Sequence, residues 1–597
     1  MKEYVMGNGA IAYGALAAGV NLVAGYPGTP SSEIVETVAK APHEGVHVEW
    51  SVNEKAAMEV AAAAAYSGAR ALVTMKQVGL NVASDPLMSL AYVGVKGGMV
   101  VVSADDPGPI SSQTEQDTRR FAEFARIPVF DPCSPEEAYE MIQDAYAYSE
   151  KYGTPVLFRP TTRVDHAYAA IERPERFTRK QFEGFVKDSK RWVIFPRLSY
   201  VNHAKIETRN VGIGEDFSSY RFNTVTGGPS AKAVVASGIS YAYAKEVLKA
   251  HPEVKLIRIA TPYPFPERFV REALTGVSEV ICLEELSPFN EEQLLKMCGR
   301  YHLPVDIHGK LDGLVPHSGE LSAAMVAKIL SAYLGIECNE AGADLTGAPS
   351  LPVRPPVLCA GCPHRASFYA VKKAMEGTRS YFCGDIGCYT LGNAMPLDMC
   401  DTCLCMGAGI TMAQGFQWTD PEGKAFAFVG DSTFFASGMT GVANAVYNNA
   451  DMVLCVLDNS TTAMTGHQPH PGTGRNLMGS PVEKIDIEAV LRGIGVAKVV
   501  TVNPLELDKA VAAVKECAVL PGVKAILFRS PCVALYKPTA LCEVTESCIG
   551  CETCIREIGC PALSVKDGTV VVEKNLCTGC GLFSQVCPVQ AIEEVSR

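Results

Sequence analysis

The chain has 597 residues, 48% apolar and 20% charged, with 53 Lys+Arg against 65 Asp+Glu and a formal charge of −12. This is the length and balance of several folded domains, which excludes a disordered chain. The net acidity, with no Lys/Arg-rich block, argues against binding to nucleic acid or an anionic membrane surface.

The longest Ala/Val-rich stretch, 60–75, is broken by Ser67 and Arg70, so no transmembrane span is expected. The opening MKEYVMGNGA lacks a signal-peptide pattern, which leads us to expect a cytoplasmic protein. Cysteine is the outlying residue type. Twenty-two of them, in a chain too long to be a disulfide scaffold, point to metal or redox clusters.

Over the first 160 residues, short apolar runs at 20–26, 71–75, 98–103 and 155–158 read as strands. Ala-rich stretches such as 54–67 read as helices between them, the pattern of a parallel α/β sheet. Residues 171–231 are more charged and irregular and read as a linker or insertion. A second α/β pattern runs from Lys232 to about residue 340, with AVVASG, a helix to Ala250, KLIRIA and EVICLEE. The Gly-, Ala- and Pro-containing stretch 337–356 is a linker candidate. A third α/β block, 350–538, carries KAFAFVG, DMVLCVLD and KAILFRS as strands. After Pro538 the composition changes, and eight of the 22 cysteines lie in 539–597.

That tail reads Cys548-x2-Cys551-x2-Cys554-x5-Cys560-Pro561, then Cys577-x2-Cys580-x6-Cys587-Pro588. Thiolates at this density suit iron–sulfur clusters, and in two-cluster ferredoxins the distant Cys-Pro ligates the cluster of the other half. One [4Fe-4S] cluster is then expected on Cys548, Cys551, Cys554 and Cys587. The second set, Cys577, Cys580 and Cys560, is one thiolate short, because Phe583 stands where the remaining Cys is expected. A zinc site is the plainer alternative, although zinc prefers four ligands in one closed set. Cys133, Cys282, Cys298, Cys338, Cys455, Cys517 and Cys542 read as packing residues.

Gly430-Asp431-Ser432 follows one apolar strand, and Asn459, 28 residues after Asp431, follows another. A strand-end glycine lets backbone approach a phosphate. An Asp carboxylate, an Asn carbonyl and the Thr461 main-chain carbonyl can share one Mg2+ that bridges two phosphates. The spacing resembles the thiamine diphosphate motif, with Ser432 replacing its last Gly and Asp458-Asn459 replacing Asn-Asn. Taken alone, Gly-Asp-Ser is also a common turn.

Eight motifs in one order tie these pieces together: GYPGTPSSEI (25–34), NEKAAMEVAAAAAYSGAR (53–70), CAGCPHR (359–365), GDIGCYTLG (384–392), CMGAG (405–409), GDSTFFASG (430–438), DNSTTAMTGHQPHPGTG (458–474) and the tail. With these, the chain resembles the 2-oxoacid:ferredoxin oxidoreductases, most closely the large (alpha) subunits of the indolepyruvate enzymes. The resemblance implies an α/β fold. Its parts would be a thiamine pyrimidine-binding domain (1–170), a transketolase C-terminal-like domain (232–340), a thiamine diphosphate/Mg-binding domain (350–538) and an α+β bacterial ferredoxin-like domain (539–597).

The implied reaction is oxidative decarboxylation of arylpyruvates with coenzyme A, with electrons passing through iron–sulfur clusters to ferredoxin. The implied partners are a small beta subunit, in a heterotetramer of two alpha and two beta chains. A thiamine-dependent decarboxylase, or a related oxidoreductase with a non-aromatic 2-oxoacid substrate, is the alternative.

Residue roles also follow from the resemblance. Glu54 matches the glutamate beside the aminopyrimidine of the cofactor; on its own it reads as an acid at a helix start. Thr29 matches a threonine near the substrate carboxylate and otherwise reads as a helix cap. His467 is a candidate for proton transfer or substrate binding, or else a solvated loop residue. Met406, Gly407 and Met464 join Gly430, Asp431, Ser432 and Asn459 as cofactor-binding residues. Cys359, Cys362, Cys388 and Cys532 match a further cluster near the thiamine, with Cys383 competing for the third position. Cys400, Cys403 and Cys405 form a weaker metal-like group.

Overall fold

The computed structural model describes residues 1–337 and 346–596, so Cys338 and part of the expected 337–356 linker lie outside the described residues. The chain forms two compact units, Met1–Ala348 and Pro349–Arg597.

The first unit contains a fully parallel six-stranded sheet in the order His47–Trp50, Leu22–Gly25, Ala71–Lys76, Met99–Ala104, Val156–Phe158, Val129–Phe130. Its strands are near-continuous Val, Ala and Leu runs because helices cover both faces. The central strand Met99–Ala104 is buried at every residue. A second sheet has the order Val225–Thr226, Lys255–Arg258, Lys232–Ala236, Glu279–Leu283, Asp306–His308 and is parallel except at its first edge.

The segment 171–231, expected as a linker or insertion, carries the 22-residue helix Pro196–Phe217. Its buried stripe is narrow, Ile206, Asn210, Ile213 and Phe217, and includes a polar residue, which is why no apolar period stood out in the sequence. Phe217 packs edge-on to Phe130 at 5.4 Å, which fastens the helix to the unit.

A buried ion network joins the surroundings of the two sheets. Arg119, fully buried, donates to both oxygens of Asp117 at 2.9 and 2.7 Å and to Glu284 at 2.7 Å. Removing the guanidinium leaves two buried carboxylates unpaired. Arg119→Ala is therefore expected to destabilise the unit by about 3–5 kcal/mol, read as a lowered thermal midpoint. A midpoint equal to wild type would refute this.

The second unit is built on a parallel five-stranded sheet in the order Ser380–Cys383, Lys424–Gly430, Met452–Asp458, Val523–Arg529, Lys498–Val502. The cysteine-rich tail adds two antiparallel strand pairs, Ala540–Val544 with Ile592–Ser596 and Leu563–Lys566 with Thr569–Val572, and the short helices Thr553–Ile558 and Leu582–Val586. Ile558, Leu563 and Phe583 share one hydrophobic core with Phe426 and Phe428 of the sheet, so the tail is packed into the unit. Among the described residues no helix is long and apolar enough to cross a membrane.

Candidate functional site

In open parallel sheets, ligands bind outside the carboxyl ends of the strands. In the first unit, three neighbouring strands end at Trp50, Gly25 and Lys76. Just past the first, Asn53 caps the helix Glu54–Tyr66 by accepting from the Ala56 amide at 2.8 Å, which sets Glu54 at the start of the first turn.

Burial pushes the Glu54 carboxyl up to about 7, against the opposing pull of its own backbone amide and of Lys76. Its room depends on Gly79, where an added Cβ would lie 2.6 Å from Glu54 Oε1. Lys76, with its own pKa lowered by burial, also borders the Gly28 turn, where an added Cβ would lie 3.2 Å from Lys76 Cγ. Thr29 sits half-buried in that turn. The cap position of the next helix, Ser32–Lys40, is Ser31, so Thr29 is not the helix cap.

In the second unit, Asp431 and Asn459 emerge from adjacent parallel strands paired at Gly430 and Leu457. Asp431 accepts from the Ser432 amide at 2.9 Å and the Ser460 amide at 2.7 Å, and His470 Nε2 lies 3.1 Å from its Oδ2. Asn459 accepts from the Thr461 amide at 3.2 Å, and its side-chain nitrogen lies 3.1 Å from His364 Nε2. Burial drives His364 down to about 4, so it stays neutral at physiological pH. Ser432 Oγ lies 3.1 Å from the Thr462 hydroxyl.

Beside this turn, Asp385 accepts from the Gly407 amide at 2.8 Å and the Tyr389 hydroxyl at 2.9 Å, and burial raises it to about 6. Tyr389 fills the space above Gly430, where an added Cβ would lie 2.5 Å from the ring. Gly407 has φ +84, and the carbonyl of the half-buried Met406 accepts from Ser437 at 2.8 Å. Met464 and His467 are exposed, and the histidine at Asp431 is His470.

These residues suit a hard cation and a diphosphate. Asp431, Asn459 and Thr461 offer oxygen atoms from two strand ends. Among the described residues Asp431 pairs with no Lys or Arg, and burial raises its pKa, the condition a bound Mg2+ would relieve.

Every described cysteine is a free thiol. Cys388 lies where Cys359 and Cys532 both act on its charge, and Cys362 feels Cys388 and Cys359. Cys383 instead neighbours Cys400. In the tail, Cys554 feels Cys587 and Cys548, while the half-buried Cys551 thiol is lowered by the Thr553 hydroxyl. Cys580 feels Cys560 and Cys577.

No three His, Cys, Asp or Glu side chains among the described residues converge as a single-ion site. A four-iron cube spans more space than one ion, so its thiolates stand farther apart than the ligands of a single metal. The two CxxC loops meet directly: Gly361, at φ +72, has no room for a Cβ because Thr578 Oγ1 occupies it. Between them Arg365 donates to the carbonyls of Leu358, Ile558 and Gly559 at 2.6–2.9 Å and feels Cys359, Cys362, Cys560 and Cys580.

Residues 13–215 match the thiamine diphosphate-binding family of pyruvate flavodoxin/ferredoxin oxidoreductases, and residues 385–524 match the C-terminal TPP-binding domain of thiamine pyrophosphate enzymes. An indolepyruvate oxidoreductase subunit IorA from Methanothermobacter thermautotrophicus is 40% identical over 99% of this chain and 97% of its own length. The chain belongs to the IorA family.

The Pyrococcus horikoshii IorA is 38% identical over 100% of this chain and 97% of its own. A ketoisovalerate oxidoreductase subunit VorB from Methanothermobacter marburgensis matches less, 25% identical over 50% of this chain and 90% of its own. In this IorA-family chain both strand-end clusters fall inside the matched thiamine diphosphate regions: Glu54, Lys76 and Thr29 in the first, and Asp385, Asp431, Asn459 and His470 in the second. Lys76, Asp385, His364 and His470 carried no role in the sequence reading. His364, Asp385 and His470 lie within motifs given above, and their burial is the missing signal.

Proposed function

We propose that this chain is the thiamine-dependent large subunit of an indolepyruvate oxidoreductase. The reaction takes one 2-oxoacid anion and one coenzyme A thiol to one acyl thioester, one CO2, one proton and two electrons. The C1–C2 bond breaks and a C–S bond forms, and two oxidised ferredoxins each accept one electron. Bound thiamine diphosphate supplies the electron sink that this cleavage requires.

The chain's own residues do the rest. Glu54, titrating at about 7, can give a proton to a ring nitrogen and take it back at neutral pH. Asp431, Asn459 and Thr461 would hold Mg2+ and the diphosphate. Thr29, ahead of the helix Ser32–Lys40, would receive the substrate carboxylate. We assign a [4Fe-4S] cluster to Cys359, Cys362, Cys388 and Cys532, and another to Cys548, Cys551, Cys554 and Cys587.

The observation that carries the oxidoreductase reading over a simple decarboxylase is the direct contact of the 359–362 and 577–580 loops. It gives electrons leaving the thiamine module a path between two cysteine loops that flank the buried Arg365. A separate small beta subunit, in a two-alpha, two-beta assembly, completes the proposal. The free thiols fit a reducing cytoplasm.

The test is anaerobic turnover of the co-purified subunits with indolepyruvate and coenzyme A. We expect acyl-CoA and two reduced viologens per CO2. CO2 with an aldehyde and no reduced viologen would establish the decarboxylase instead. Equal turnover of a branched-chain 2-oxoacid would remove the aromatic preference.

A further inference from the structure

The second half of the tail is one thiolate short, because Phe583, buried, stands at the expected position. We propose that Cys542 supplies the missing ligand, so that Cys542, Cys560, Cys577 and Cys580 together hold a four-iron cluster. The inference rests on the iron–sulfur reading of the tail and concerns only how this half is completed.

Cys542 lies on the strand Ala540–Val544, six residues ahead of the first tail motif, with no motif neighbour to mark it. In the fold this strand meets the second half at three points, two of them through Cys542. The Cys542 amide donates to Cys577 Sγ at 3.2 Å, the type of bond that tunes cluster thiolates. The Cys542 Sγ lies 3.9 Å from Ser584 Oγ, on the residue directly after Phe583. Gly579, at φ +69, lies against Ala540, where an added Cβ would come within 2.6 Å of backbone, so the Cys577–Cys580 loop is seated on this strand.

Cys542 is fully buried, and its amide bond to Cys577 holds the two cysteines side by side. Cys560 lies close enough to Cys580 to act on its charge. The donor set is four free thiols, buried or half-buried, which is soft and complete. The thiol proton leaves when iron binds. A phenylalanine at 583 and a cysteine at 542 are then one exchange: the ligand moves from the helix to the facing strand, and the ring fills the space it left.

The test uses the full chain, purified anaerobically. Iron and acid-labile sulfide are measured together with EPR of the oxidised and reduced states. Wild type is expected to show only four-iron clusters, about twelve irons per chain if all three sets are filled. Cys542→Ser should lose about four irons, or about one with the appearance of the oxidised three-iron EPR signal. Cys517→Ser, a buried thiol outside all sets, should match wild type. Adding Phe583→Cys to Cys542→Ser should restore the four-iron signal by returning a thiolate to the expected position.

Wild-type iron, sulfide and EPR in Cys542→Ser overturn the proposal, as does a full complement of three-iron signal in untreated wild type. A Cys542→Ser chain that fails to fold and is not rescued by Phe583→Cys also counts against it, as a packing role. A wild-type chain with no iron would instead sink the iron–sulfur reading itself.

Discussion

Replacing Glu54 with Gln is expected to lower turnover by a factor of about 100 to 10,000 while leaving the fold and diphosphate binding intact, because a proton-transfer group is lost and no contact to the phosphates is touched. The same variant has an opposite effect on stability. The carboxyl rises from its ordinary 4.5 to about 7 on burial, so its ionised form is disfavoured in the folded chain. The cofactor-free protein therefore loses stability as pH climbs from about 4.5 to about 7, and loses no more above that, a total of about 3 kcal/mol.

Glu54→Gln is neutral at every pH and escapes this loss. Its melting advantage over wild type should be absent near pH 4.5, grow through neutrality and level off. Paired melts across that range check it. A variant equally stable at all pH values, or one that retains full turnover, would show that Glu54 is an ordinary helix-start acid. Gly79→Ala should mimic the activity loss by crowding the carboxyl.

Replacing Asp431 with Ala is expected to weaken Mg2+-dependent thiamine diphosphate binding by at least about 100-fold. The carboxylate holds the Ser432 and Ser460 amides, so its loss removes a metal oxygen and also frees the turn that presents Asn459 and Thr461. Titration calorimetry with Mg2+ present and absent measures the change. Thermal shift gives a second reading. A hundredfold ligand excess over its dissociation constant stabilises wild type by about 2.7 kcal/mol, and this gain should vanish in the variant. His467→Ala should leave binding unchanged and His470→Ala should weaken it, since only His470 reaches Asp431. Unaltered metal-dependent binding in Asp431→Ala would defeat the assignment.

Much of this molecule was legible residue by residue. The strand 424–430 was read at its observed bounds, and those ending at Gly25, Lys76 and Asp458 to within two residues at either end, because buried parallel strands are continuous apolar runs. The GDS–N spacing and the CxxC pairs were equally visible, since a metal or cluster demands fixed residue types at fixed intervals. The helix Pro196–Phe217 was not, because its buried stripe includes a polar residue.

What remained hidden were the relations between distant residues that no motif or resemblance supplied. Cys542 looked like packing until the fold set it against Cys577, 35 positions on. His470 could not be ranked above His467, because both lie in one short loop and only burial separates them. Lys76 acquired meaning from a carboxyl 22 residues earlier, and Gly361 from a threonine more than 200 residues later. Ligand chemistry is written in local spacing because short loops reach one atom. Which loops meet, and so which thiol completes a cluster or which acid is stripped of water, is settled by the packing of distant segments, and no local pattern encodes that.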